Sequence, residues 1–251
     1  MKAMLLGLAL AAAALVVSRV QRLKIESELV VAVVRAGVQL AVVALVIGTV
    51  FDHLGLAGLF VLVMFGSASW TAGRRLAGVR NRFAIGAISV AAGSASALVV
   101  LFGLGGYPLE PQYLIPVGGI LIGGCMTATT LAGRRIREEI SSRLAEIEAR
   151  LSLGVTAKFA MRSYFPKSIL TALIPVLDQT KNTGLITLPG TFVGMILGGA
   201  SPVEAAQVQL TVLFSLLGAQ SIAATVSAIS VGRSFVGPGE RIVLPVKGVN
   251  A

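Results

Sequence analysis

Few side chains in this sequence are of a type and spacing that could do chemistry. Arg35 and Gln39 lie four apart in an apolar run, on one face of a helix. An arginine in such a run is either a functional group or one whose head reaches back to the membrane interface, and both readings stand. Gln39, deeper in the run, is expected to hydrogen-bond a neighbouring helix rather than contact a ligand. Asp178 and Lys181 are three apart, the spacing of a pair at a membrane surface. Met126 and Met195 carry thioethers suited to soft ions, but core filling is the expected role. Cys125 and His53 are the sole members of their types, so one chain can build neither a disulfide nor a His/Cys metal cluster. Cys125 is expected to be a small packing residue and His53 a solvated turn residue. No nucleophile has a base at a plausible position, so no catalytic residue is nominated. There is also no G-x-x-x-x-G-K-[ST], hence no Walker A site of its own.

The elements that hold these residues are apolar. Of the 251 residues 55% are hydrophobic and 13% charged, with a mean hydropathy of +0.89. Continuous apolar runs at 3–17, 29–51, 56–72, 83–104, 113–132, 183–200 and 206–231 predict about seven transmembrane helices. They are too long and too evenly apolar for barrel strands. One all-α, polytopic transmembrane domain over 1–251 is expected, with no room for a separate soluble domain.

Charge sets the orientation. Arg19, Arg22 and Lys24, then Arg74, Arg75, Arg80 and Arg82, then the stretch 134–181, then Arg233, Arg241 and Lys247 fall in alternate loops. The other loops hold Asp52, Glu110 and Glu204, with Lys2 their only cation. The positive-inside rule then predicts the N-terminus outside and the C-terminus cytoplasmic. The first span resembles a signal peptide but is expected to be retained, since the topology count uses it. The net charge of +10 is divided among short loops without an aromatic-rich surface, so a nucleic-acid partner is not expected.

The stretch 134–181 is the one segment that does not read as membrane. Ile136, Ile140, Leu144, Ile147 and Leu151 mark one face of an amphipathic helix, and Glu139 with Arg143 and Glu146 with Arg150 are favourable i,i+4 pairs. Ser152-Leu153-Gly154 offers a stop, and a second amphipathic stretch from Thr156 should break near Ile174, before Pro175. Such a helix either lies flat on anionic lipid or docks a cytosolic partner. Further on, Gly184, Pro189 and Gly190 interrupt the 183–200 run, while Gly190, Gly194 and Gly198 repeat the small-residue spacing of close helix packing. Packing and gating are both open for this break. No acid sits at mid-span to serve a proton relay, which disfavours a gradient-driven carrier.

Several of these residues carry a family resemblance. Glu148-Ala149 with Leu151 and Leu153-Gly154 resembles the loop by which importer-type ABC permeases dock their ATPases, although Arg150 departs from its third position. Arg35-Ala36 with Gln39-Leu40, Ile115-Pro116 with Gly119, Gly123 and Met126, Ile174-Pro175 with Asp178 and Lys181, Leu188-Pro189-Gly190, and Pro202 with Ala205 and Gln209 resemble the FetB-type family (UPF0014) of ABC permeases. Gly124 stands where that family usually has Asn, and Gln179-Thr180 where it usually has a small pair.

The resemblance implies a permease subunit in the cell membrane, plasma or inner, that pairs with a separate cytosolic ABC ATPase. It implies a two-plus-two assembly around a permease homodimer, with ATP and magnesium bound only by the ATPase. Its members include bacterial iron exporters and plant proteins linked to aluminium tolerance. On this basis Glu148, Ala149, Leu151, Leu153 and Gly154 are the candidate coupling residues. Arg35, Gln39, Met126, Asp178, Lys181, Pro189, Gly190 and Gln209 are candidates for the pathway or its gate, and no metal ligand is nominated.

Overall fold

The computed structural model describes residues 2–243. Lys247, assigned above to the basic C-terminal loop, lies outside them. Two compact units divide at Leu54.

The first unit is a helical hairpin of α1 (Lys2–Val20) and α2 (Glu26–Asp52). The Ser18 hydroxyl donates to the Glu26 carboxylate at 2.9 Å, fixing the turn, in which Arg22 and Lys24 adopt left-handed φ of 53° and 58°. Twenty-seven residues give α2 a length of about 40 Å, more than a hydrocarbon core needs.

The second unit contains α3 (Leu54–Arg75), α4 (Arg82–Gly103), α5 (Pro111–Ser142), α6 (Leu144–Ser152), α7 (Ala157–Ala160), α8 (Tyr164–Asn182), α9 (Gly190–Leu197) and α10 (Pro202–Ser234). Small residues let the helices approach closely, which matters in lipid because apolar side chains gain nothing by leaving it. Ala128 and Ala132 of α5, Ala172 of α8, and Ala224 and Ala228 of α10 form a central layer. A Cβ on Gly93 of α4 would come within 2.4 Å of the Ala219 carbonyl oxygen and 2.8 Å of Cys125 Sγ, so that crossing requires glycine. Cys125 is fully buried there, as a packing residue should be.

Two larger clusters flank the alanine layer. One groups Tyr107, Val117, Leu121, Val176, Val212 and Leu216. The other groups Leu76, Ile85, Ile136, Ile140, Ile147, Met161, Val231 and Phe235, at the end of the bundle where the arginines gather. We refer to this as the basic end.

All the secondary structure predicted to cross a membrane is helical, and six helices are long and apolar enough to do so: α1 to α5 and α10. The run at 183–200 is not among them. Thr183 ends α8, Gly184 turns with φ +92°, and only the eight residues of α9 are helical before Gly198. In its place α8 runs along the bundle, antiparallel to α5. Lys167 meets Glu139 at 3.2 Å, Ala172 packs with Ala128 and Ala132, and Val176 joins the cluster of Leu121 and Cys125. At about 28 Å, α8 matches the hydrocarbon thickness.

The expected break at Pro175 therefore does not occur. Ser168, Ala172 and Val176 bury one face of α8 against α5 and α10, with exposed Pro175 at its flank, and this packing carries the helix through the proline to Asn182. The segment at the basic end shortens accordingly, from the expected 134–181 to the stretch between α5 and α8. Asp178 and Lys181 move with it, to the far end of α8 from Glu139.

The amphipathic helix that the isoleucine spacing predicts is likewise divided. Ile136 and Ile140 continue α5, which bends at Arg143 (φ −117°, ψ 25°), while Ile147 and Leu151 belong to α6. Ile136, Ile140 and Ile147 are fully buried, so the stripe covers the end of the bundle rather than a lipid surface.

Candidate coupling site and transport path

The site grows from the last three turns of α5. That helix of 32 residues is about 48 Å long, so its polar end projects past a core of about 30 Å. Glu139 lies on this projection with only 5% of its side chain exposed. Its Oε1 accepts from Arg135 at 2.6 Å and lies 3.2 Å from Lys167 Nζ, while its Oε2 accepts from Arg143 Nε at 3.2 Å. Burial pushes this carboxyl up, but Lys167, Arg135 and Arg143 more than offset that and hold it below the usual range. One carboxylate thus joins α5, the bend before α6, and the start of α8.

The chain of polar contacts continues into α6. Arg143 reaches Glu146 at 3.3 Å, and Glu146 accepts from Arg150 at 2.6 Å, so both i,i+4 pairs expected from sequence are present. Arg150 also donates to the Ala160 carbonyl at 2.8 Å, tying α6 to α7. The guanidinium groups of Arg143 and Arg150 sit 5.6 and 5.8 Å from the Tyr164 ring centre. Arg137 donates to the Ala77 carbonyl, linking α5 to the turn between α3 and α4.

Beyond this network the candidate coupling residues divide. Leu151 faces inward onto the buried cluster. Glu148, Ala149, Leu153 and Gly154 face out, with Leu153 84% exposed. Gly154 has φ +84°, the left-handed turn residue the sequence required. Arg150, the departure from the docking motif, makes the internal contacts above. Leu153 is thus a large apolar side chain held outward beside a left-handed turn, at the end of a braced helix.

Within the second unit the pathway candidates do not converge. Arg35 and Gln39 share a face of α2 in the first unit. Asp178 and Lys181 are exposed near the end of α8 and make no ion pair with each other. Pro189 caps α9 and Gly190 is its first residue, after the loop in which Gly184 donates to the Thr187 carbonyl. The predicted interruption is therefore present, but Gly190 and Gly194 have no neighbour within 4 Å of an added Cβ, so their spacing marks no packed seam within this chain. Met126 packs at the edge of a core cluster.

Gln209 is the one pathway candidate buried inside the second unit, 5% exposed, and its Oε1 has no hydrogen-bond partner. At the preceding residue, the Val208 carbonyl accepts from the Tyr107 hydroxyl at 3.2 Å. The Ser69, Ser89 and Thr129 hydroxyls are buried and equally unpartnered. A Cβ on Gly124 would lie 2.7 Å from Gln220 Nε2 and 2.5 Å from Leu216 Cδ1, so glycine leaves room for these two α10 side chains. Among the described residues no three His, Cys, Asp or Glu side chains gather as a metal site.

Glu139 with Lys167 is what sequence reasoning missed. The signal was present, since Glu139 sits beside Ile140 on the stripe that Ile136 and Ile147 share, and a carboxylate on a buried face needs partners. Lys167 was not identifiable as that partner because it belongs to α8.

The chain is 37% identical over 221 residues to the UPF0014 membrane protein STAR2 of Oryza sativa, covering 87% of this chain and 78% of that protein. It is 35% identical to Protein ALUMINUM SENSITIVE 3 of Arabidopsis thaliana, over 88% and 82%. With the probable iron export permease protein FetB of Escherichia coli it shares 32% identity over 95% of this chain and 93% of that one. No solved structure matches it. The family model of UPF0014, described as an uncharacterised protein family, spans residues 1–236, and this multi-pass membrane protein belongs to that family.

Proposed function

We propose that this chain is the transmembrane permease subunit of an ABC transporter that exports a metal ion such as iron across the cell membrane. ATP, with magnesium, is hydrolysed on a separate cytosolic subunit, and two permeases pair with two ATPases. The observation that carries this reading is the exposed Leu153-Gly154 turn at the end of α6, braced through Arg150, Glu146, Arg143 and Glu139 to α5 and α8. Closure of the ATPase dimer pushes on α6, and the braced contacts carry the push to two helices that run the depth of the bundle. Sidedness follows the charges, with the basic end cytoplasmic.

Iron enters through the name of the Escherichia coli relative, while the plant relatives are named otherwise. The second reading, a gradient-driven carrier or a permease for a non-metal cargo, draws on the same buried, unpartnered Gln209 and hydroxyls, since oxygen donors suit hydrated or organic cargo as well as hard ions.

The test is co-purification with candidate ATPase subunits, comparing wild type with Glu148→Arg plus Gly154→Leu, then ATPase assay in lipid with and without iron. An ATPase held by wild type and lost by the double variant supports the permease reading, and stimulation by iron supports the cargo. No ATPase, or equal binding by both, returns the argument to a gradient-driven carrier.

A further inference from the structure

A cavity of about 860 Å³ opens at the basic end of the second unit, between α7, the start of α8 and the end of α10. Its lining has two characters. Phe165, Ile169 and Ile229 form an apolar wall that climbs one to two turns along α8 and α10 toward the bundle centre. Lys158, Arg162 and Arg233 stand at its charged end, all three exposed. Among the described residues none of the three has a carboxylate within 4.0 Å, although five other basic contacts with carboxylates at this end close to 3.3 Å or less.

The one acid of the lining, Glu240, is already engaged. Its Oε2 accepts from the Ala157 backbone N–H at 2.5 Å, at the start of α7, which directs its charge to the helix end. Three cations without partners around an apolar wall, at the depth where a bundle leaves the membrane, match an amphiphile with an anionic head. A free anion would leave the wall uncovered, and an apolar chain alone would leave the cations unmatched.

We propose that this cavity binds an anionic phospholipid, with its phosphate among Lys158, Arg162 and Arg233 and an acyl chain along Phe165, Ile169 and Ile229. The lipid bridges α8 to α10 where Gly232 already lets the Phe165 ring approach, since a Cβ there would meet that ring at 2.6 Å. It also sits beside α7, which Arg150 ties to α6, so occupancy stiffens the element braced by Glu139. The inference rests on membrane embedding alone and stands whether or not an ATPase docks.

The experiment uses the full chain purified in neutral detergent, with bound lipid counted by native mass spectrometry after adding phosphatidylglycerol or phosphatidylcholine of matched acyl chains. A third arm adds inorganic phosphate as competitor. Wild type should retain one phosphatidylglycerol in preference to phosphatidylcholine, with millimolar phosphate failing to displace it. Lys158→Gln, Arg162→Gln and Arg233→Gln should each weaken retention roughly fivefold and together about a hundredfold. Arg74→Gln with Arg75→Gln and Arg80→Gln, cations at the same end but outside the cavity, should change it less than twofold. Arg162→Lys should restore most of what Arg162→Gln loses, which keeps the test available if the triple variant does not fold. Equal retention of both lipids, unchanged retention by the triple variant, or displacement by phosphate overturns the proposal. So does a dimer that only the triple variant dissolves with lipid retention unaffected, which would assign the cavity to a second copy.

Discussion

Lys167 Nζ lies 3.2 Å from Glu139 Oε1, across the gap between the start of α8 and the projecting end of α5. Twenty-seven residues lie between the two in sequence, and they include all of α6 and α7. The contact therefore closes a loop around α6 and α7, and it does so on a carboxylate that is itself nearly buried. Removing the carboxylate leaves three cations facing one another. Removing the lysine leaves two arginines still in place.

Glu139→Gln should accordingly lower stability by about 1 kcal/mol, discounted because its partners are 35 to 55% exposed, and Lys167→Gln by less than half that. Thermal unfolding in detergent measures both. A Lys167→Gln variant as unstable as Glu139→Gln would place the weight on the lysine instead.

The pH dependence follows from the same group. Its folded carboxyl titrates below the ordinary value of about 4.3 for glutamate, so its contribution is fully present above that pH. It is lost as pH falls through the lower, folded value. Wild type should therefore lose more thermal stability than Glu139→Gln between pH 5 and pH 3. Parallel pH profiles for the two proteins would mean that this carboxylate is not held in its charged form by folding.

Leu153→Ser removes an exposed side chain and should leave the unfolding temperature within a degree of wild type. If the turn is a docking knob, the same change weakens co-purification of the ATPase by at least tenfold, the cost of about 1.4 kcal/mol for an apolar anchor. Leu151→Ser should do the reverse, lowering stability first, because Leu151 packs on the cluster of Ile147 and Phe235. A Leu153→Ser protein that binds the ATPase normally removes the knob from the coupling site.

Much of this fold was legible in the sequence because apolar runs and charged loops report on solvent, and solvent selects helices here. The turn at Gly154 and both ion pairs of α6 were legible for a local reason, since a glycine stop and i,i+4 spacing need no tertiary information. The place of α8 in the bundle was not. Lys167, Ser168, Thr171, Asp178 and Lys181 make α8 look like a surface helix, while 183–200 looks like a span until its glycines and proline are weighed. What makes α8 a bundle helix is the Ser168, Ala172 and Val176 face, and that face has meaning only once α5 and α10 are beside it. Resemblance pointed to Gln209, but its unpartnered burial and that of the Ser69, Ser89 and Thr129 hydroxyls were silent, because burial without a partner is a property of neighbours.

The antiparallel course of α8 makes a sharp prediction about sidedness. With Cys125 replaced by Ala, a single cysteine at Asp178 or Lys181 should react with a membrane-impermeant maleimide added outside intact cells, while one at Glu148 should react only after the membrane is opened. The expectation from hydropathy alone is different, since a crossing at 183–200 would leave Asp178 on the same side as Glu148. The two arrangements share every apolar span up to α5 and differ in where the chain returns. Protection of Asp178→Cys together with Glu148→Cys would mean that α8 lies along the membrane surface, and the Glu139 to Lys167 contact would then have to form without a crossing helix behind it.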